Sequence, residues 1–153
     1  MINEKNIERV KNEIKKLIGK GERNIIVRAQ NLEFNRKILE YGRFDVLVGI
    51  EQSFDIGKDK LKQVDSGLNH VLAKIAAKNG VAIGIDLEFL RGLEGKKKAL
   101  ILEKIIQNIK VCRKAHAKIK LLNYKDEKDA FGFLLSLGAD TKQAKESLNK
   151  TNH

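Results

Sequence analysis

One stretch, Asp65–Leu87 (DSGLNHVLAKIAAKNGVAIGIDL), constrains the fold more than any other part of the chain. Asp65 or Ser66 can cap a helix, since either side-chain oxygen can accept a backbone N–H that the first turn leaves unpaired. Leu68, Val71, Leu72, Ile75 and Ala76 recur at spacings of three and four, which predicts one buried face. Asn79-Gly80 stops this helix, because glycine enters the left-handed backbone region without a Cβ penalty. Val81–Ile85 follows at once and is apolar on both faces, the pattern of a parallel strand covered on two sides. A helix, a short glycine turn and a buried strand make up a unit of an α/β protein.

The rest of the chain repeats that unit. A first helix is expected over residues 2–18, with Ile7, Val10, Ile14, Leu17 and Ile18 on one face and Gly19 and Gly21 ending it. Further strands are expected at Asn24–Arg28, Phe44–Ile50 and Ala117–Leu122, the last either an edge or with an outward-facing side, because Lys118 and Lys120 alternate in it. Asp45 reads as a turn residue. Helices are expected at Leu32–Tyr41, Ala99–Ala115, Asp126–Leu137 and Ala139–Leu148. The longest carries Leu102, Ile105, Ile106, Ile109 and Cys112 inward, with Lys104, Lys110, Arg113 and Lys114 around them. In the shorter helix after the last strand, Phe131, Leu134 and Leu135 are expected to pack inward. Glu51–Lys62 and Glu88–Lys98 read as loops. Four strands alternating with helices argue a parallel sheet with right-handed crossovers. Four cannot close an eight-stranded barrel, so the sheet is open or is part of a barrel. A single α/β domain is expected over residues 1–153, with 149–153 a frayed tail.

Charge narrows the partners. With 31 Lys+Arg against 20 Asp+Glu, the net charge is +11, and a small domain this basic is expected to seek a polyanion. Lys58, Lys60 and Lys62, then Arg91 with Lys96, Lys97 and Lys98, sit in segments read as loops after strands, so they are expected to share one end of the sheet. Such a rim neutralises phosphates without reading bases. Aromatics near it are few, Phe54, Phe89 and Tyr124, which favours a structured RNA held by backbone and shape over a threaded single strand. The bland reading of each lysine is ordinary solubility. No run is long and apolar enough for a membrane span, and the charged start is unlike a signal peptide, so a cytoplasmic protein is expected.

Catalytic patterns are absent from the sequence. No phosphate-binding glycine loop occurs, and His70, His116 and His153 have no metal-ligand spacing, so no metal, cofactor or catalytic residue is expected. Cys112 is expected as a buried filler. His70 falls opposite Leu68, Leu72 and Ile75 on the wheel, with Lys74 beside it. Asp65, Asn69, His70 and Lys74 then read either as a polar cluster that holds RNA phosphate or a partner chain, or as a cap network on a solvated face. Asp86 and Glu88 close the following strand, where sites of such folds gather.

The segment with Asp65, Gly67, His70, Val71, Leu72, Ala73 and Lys74 resembles archaeal ribonuclease P protein component 3, the relative of the eukaryotic Rpp30 subunit. The likeness extends through IIVRAQNLEFNRKILEYGRFDVLVGIEQSF before it and FGFLLSLGADTKQAKESL near the end, over about residues 5–149. It implies a partial or incomplete TIM-like barrel of the polymerase-and-histidinol-phosphatase (PHP) type. It also implies a non-catalytic, RNA-binding subunit that supports removal of the 5′ leader from precursor tRNA by the catalytic RNA. The implied partners are ribonuclease P RNA, precursor tRNA, a Pop5-like ribonuclease P protein and other subunits. The family begins with further strands, so the barrel is expected to be incomplete, oligomeric (a possible homo-oligomer) or completed by the first helix. Asp86-Leu87-Glu88-Phe89 departs from the family, which usually has Ser-Leu-Arg-Pro there, so that an acidic residue replaces a basic one. The rival readings are a small phosphoesterase using Asp65, His70 and Asp86, and a scaffold that binds no RNA.

Overall fold

The structure is a computed structural model in which residues 1–52 and 66–148 are described. Its elements run α1 (Ile7–Gly19), β1 (Ile26–Arg28), α2 (Leu32–Tyr41), β2 (Val46–Val48) and a 3-10 turn at Ile50–Gln52. They continue as α3 (His70–Asn79), β3 (Ala82–Asp86), α4 (Leu87–Arg91), α5 (Gly95–Ala115), β4 (Ile119–Leu122), α6 (Glu127–Ser136) and α7 (Thr141–Leu148). The strands pair in parallel in the order β1-β2-β3-β4, with Val27, Leu47, Ile83 and Ile119 in register across the sheet. Among the described residues the sheet does not close on itself. β4 pairs only with β3, and the outer edge of β1 carries a single parallel bridge to Ile2.

Strand order dictates the layering. Each strand adds beside its predecessor, so right-handed crossovers place successive helices side by side on one face, and α1 packs on α2, α2 on α3 and α3 on α5. Val27, Leu47, Ile83, Ile85, Ile119 and Leu121 join the core that these helices cover. Alternation along the strands turns Val46, Val48 and Gly84 to the other face. There the sheet is crowded: a Cβ on Gly84 would lie 2.7 Å from Val46 Cγ1 and 3.2 Å from Val48 Cβ.

Several boundaries differ from the sequence reading, each for a local reason. The first helix starts at Ile7 because Asn6 caps it, accepting from the Arg9 N–H, while Ile2 is drawn into the sheet edge. The helix of the opening stretch is capped by Asn69, which accepts from the Leu72 N–H at 2.9 Å; Ser66 instead donates to the Leu68 carbonyl, and Asp65 lies outside the described residues. Its buried face is Leu72, Ala73 and Ala76, and Val71, expected inward, is 55% exposed. Glu88–Lys98 is not a loop: α4 occupies its first part and α5 begins at Gly95. The inward stripe of α5 is Ile101, Lys104, Ile105, Asn108, Ile109, Cys112 and Ala115, so Lys104 is buried where a solvated lysine was expected, and Ile106 is exposed. In α6, Ala130 and Leu134 are buried and Leu135 is exposed.

Other expectations hold. Asp45 is a turn residue whose Oδ2 accepts the Ile25 N–H at 2.7 Å. Cys112 is fully buried, and burial pushes its thiol up to about 12, which leaves it unreactive at neutral pH. β4 is an edge strand, and α7 runs along it. Asp140 and Gln143 cap α7 reciprocally, each side chain accepting from the other's backbone N–H.

Glu51, expected in a loop, is buried at 2% exposure directly after β2. Burial pushes its carboxyl up from 4.5 to about 7; hydrogen bonds from its own backbone and the Gln52 side chain, and the Arg28 charge, oppose the rise, while Asp86 adds to it. The folded state therefore holds a proton that the unfolded chain has released between those values, so stability falls as pH rises through that window. Glu51→Gln should remove this dependence, gaining on the order of 3 kcal/mol over the wild type at pH 8 relative to pH 4; urea unfolding at the two pH values measures it. Gly84→Ala should cost about 1–3 kcal/mol through overpacking against Val46 and Val48, seen as a lower urea midpoint with unchanged slope.

Candidate nucleic-acid interface

In a parallel sheet all strands end on one side, and the residues that follow them form a rim. Arg28 ends β1 and donates from Nη2 to Gln52 Oε1 at 2.8 Å. Gly49 turns the chain out of β2 beside this pair at φ 85, a left-handed backbone that favours glycine. Gln52 in turn donates to Glu51 Oε1 at 3.4 Å. At the end of β3, Asp86 Oδ1 caps α4 through the Glu88 N–H and accepts from Asn123 Nδ2 at 2.8 Å. Asn123 follows β4 at φ 62, and its carbonyl accepts from Arg91 Nη2 at 2.9 Å. Two hydrogen-bonded groups thus line the carboxyl ends of the strands, one on β1–β2 and one on β3–β4.

The predicted residues take distinct places on this rim. Asn69 spends its side-chain oxygen on the α3 cap, a structural role. His70 opens α3 and is exposed, with exposed Lys74 one turn on, so their outward placement agrees with the sequence reading. Arg91 is exposed on α4 and tied to Asn123. Lys96, Lys97 and Lys98 form the first turn of α5, the first two exposed and the third half-buried. Lys58, Lys60, Lys62 and Asp65 lie outside the described residues. At 21 residues, α5 is about 31 Å long, roughly twice the length of the strands it crosses.

The start of α5 is electrostatically unusual. Its first turn carries three lysines and no acid, and Glu94 at the N-cap makes no side-chain capping bond. Backbone N–H groups and the positive end of the helix dipole there favour anions and disfavour cations. Leu87 and Arg91 share a cleft with Tyr124, Lys125, Asp126 and Phe133.

Sequence reasoning missed Arg28, Gln52, Glu51 and Asn123. A single signal existed, namely that each stands at or just after the end of an apolar strand. It also missed the exposed pair Leu32 and Val71, at the starts of α2 and α3, which share a cleft with Glu33 and Arg36. Among the described residues no three or more His, Cys, Asp or Glu side chains are grouped to hold a metal ion, and none of their helices is long and apolar enough to cross a membrane.

No known family profile matches the chain. Individual proteins do. Ribonuclease P protein component 3 of Methanosarcina acetivorans is 35% identical over 118 residues, covering 75% of this chain and 45% of that protein. The proteins of the same name from Methanosarcina mazei and Methanothermobacter thermautotrophicus are 39% identical over 90 residues and 31% over 134. The first covers 59% of this chain and 34% of the relative, the second 83% and 51%. The chain thus spans about half the length of these three relatives, or less. The fold agrees with a chain in the cryo-EM structure of archaeal ribonuclease P with mature tRNA, at a TM-score of 0.75 and 24% identity over 95% of this chain and 61% of that one. Sequence and fold together make this chain a homologue of archaeal ribonuclease P protein component 3, aligned over about half of that protein's length.

Proposed function

We propose that this protein is a non-catalytic, RNA-binding subunit of ribonuclease P that acts in the cytoplasm and supports removal of the 5′ leader from precursor tRNA. The observation that carries this reading is the homology just described. The net charge of +11 and the uncapped, lysine-rich start of α5 agree with it. Arg91, Lys96, Lys97 and Lys98 would hold phosphates, together with Lys58, Lys60 and Lys62 on the segment before α3. An RNA phosphate at the start of α5 would meet both the lysines and the free N–H groups, relieving the repulsion between those lysines and the helix dipole. His70 and Lys74 extend the same rim. The proposed partners are ribonuclease P RNA, precursor tRNA, a Pop5-like protein and the other subunits. We read the four-stranded sheet as part of a TIM-like barrel of the PHP type, with its singly wound strand order in support.

The phosphoesterase reading finds less support. Asp86 is engaged in the α4 cap and with Asn123, while His70 stands exposed at the start of α3 with no hydrogen bond to Asp86. General acid–base work needs such groups within reach of one reacting atom.

Two measurements test the proposal. Adding this protein to a mixture of ribonuclease P RNA and the other protein subunits should raise the rate of leader removal; an unchanged rate and no retention on the RNA would sink it. Lys96→Glu/Lys97→Glu/Lys98→Glu should weaken RNA binding by roughly 10–100-fold and reduce the slope of log K against log salt by about 2–3, with similar losses on RNAs of unrelated sequence.

A further inference from the structure

We infer that the opposite end of the sheet, where the strands begin, is a second RNA-backbone surface. This inference rests on the RNA-binding reading above and assigns it a face that the carboxyl rim does not include.

Every crossover returns to that end. Lys20 and Arg23 stand in the turn before β1, Arg43 in the turn before β2, Lys78 in the last turn of α3, Lys114 in the last turn of α5, and Lys118 between α5 and β4. All six are exposed, and none takes part in the ion pairs found among the described residues. The carboxylates at this end are Glu22, the half-buried Asp45, whose Oδ2 is held by the Ile25 N–H, Glu40, which pairs with Arg36, and Asp140 and Glu146, which share a cleft with Lys118. At the carboxyl rim, Asp86, Glu88, Glu94 and Asp126 stand among the cations.

Helix dipoles account for part of this pattern. Lys20, Lys78 and Lys114 stand at helix C-termini, where a cation is stabilised. Arg23, Arg43 and Lys118 lie in the connecting turns, beyond the helix ends, and form no ion pair among the described residues. Their loss would therefore leave the helices capped as before.

The turns that carry these cations are locked side by side. Asp45 N–H donates to the Ile25 carbonyl at 2.9 Å, Ala82 N–H to the Asp45 carbonyl at 2.9 Å, and Ile83 N–H to the Lys118 carbonyl at 2.8 Å. Asn79 Nδ2 donates to the Leu39 carbonyl at 2.7 Å, which fixes the end of α3 on the end of α2. Strands about 4.8 Å apart spread the row over about 14 Å, the scale of several successive phosphates. Such a row costs little ordering on binding. Aromatics at this end are withdrawn: Phe44 is buried, and the Tyr41 ring lies under Lys11 Nζ at 5.5 Å. Without a stacking platform, the fitting ligand is the backbone of a folded RNA helix and not an unstacked single strand.

The test uses the full chain and two probes, Methanosarcina acetivorans ribonuclease P RNA and a plain RNA duplex of about 20 base pairs, titrated across a salt series by fluorescence anisotropy. Arg23→Glu/Arg43→Glu/Lys118→Glu should lower affinity for both probes at least tenfold and reduce the salt slope by about 2–3, with an unchanged urea midpoint as the folding control. Substituting the same three positions with Gln should give a smaller loss in the same direction. If these variants bind both probes like the wild type while the Lys96–Lys98 variant does not, this inference is overturned and the subunit reading stands. That result would leave the basic end to an acidic protein surface. If the wild type fails on the ribonuclease P RNA, the subunit reading falls, and the duplex series decides the inference alone: wild-type duplex binding lost in the triple variant upholds it, and its absence overturns it.

Discussion

Everything in this structure depends on the parallel pairing of its strands. A parallel ladder admits no tight hairpin, so each strand must be followed by a chain segment that crosses back to the same end. In this chain the crossings are the helices α2, α3 and α5, with α4 as a short prelude to the last. Because the strand order is sequential, those helices share one face, and the molecule acquires two chemically distinct ends. Helices start at one end, presenting free N–H groups, and finish at the other, presenting free carbonyls. Any anion that this protein binds meets that polarity before it meets a particular side chain.

The two ends use their polar residues differently. At the carboxyl end, Arg28, Gln52 and Glu51 form one hydrogen-bonded group and Asp86, Asn123 and Arg91 another, which shapes the rim but leaves few of these groups available. The free charge there stands on α5 and on the start of α3. At the amino end the turns are held by main-chain bonds, so the arginines and lysines are left for solvent or a partner. A carboxylate buried at the first rim is costly in its charged form, and Glu51 shows this in its raised pKa.

Legibility varied along the chain with the kind of signal. Glycine and asparagine punctuation was reliable: Gly42 and Gly80 both take positive φ at helix ends, as a stop signal requires. Helical wheels were less so. On α5 the expected stripe was displaced because Lys104 and Asn108 are buried beside Ile101 and Ile105, and Asn108 Nδ2 reaches the Ser66 carbonyl at 3.4 Å. A hydropathy pattern assigns an asparagine to solvent, and a polar partner contributed by a distant segment, the Ser66 carbonyl, reverses that. On α3, moving the start from Ser66 to His70 and packing between α2 and α5 left Val71 outside.

By itself the sequence determined the fold class, the parallel alternation of helix and strand, the basic character and the family likeness carried by the segment around His70. These are local or additive properties: periodicity, turn chemistry and net charge need no knowledge of neighbours in space. The tertiary structure alone decided strand order, the burial of Glu51 and Lys104, the bonding of Asp86 to Asn123, and the gathering of Arg23, Arg43 and Lys118 at one end. Each of those depends on which segments become neighbours, and that is set by the packing of helices across a sheet whose register no single stretch encodes.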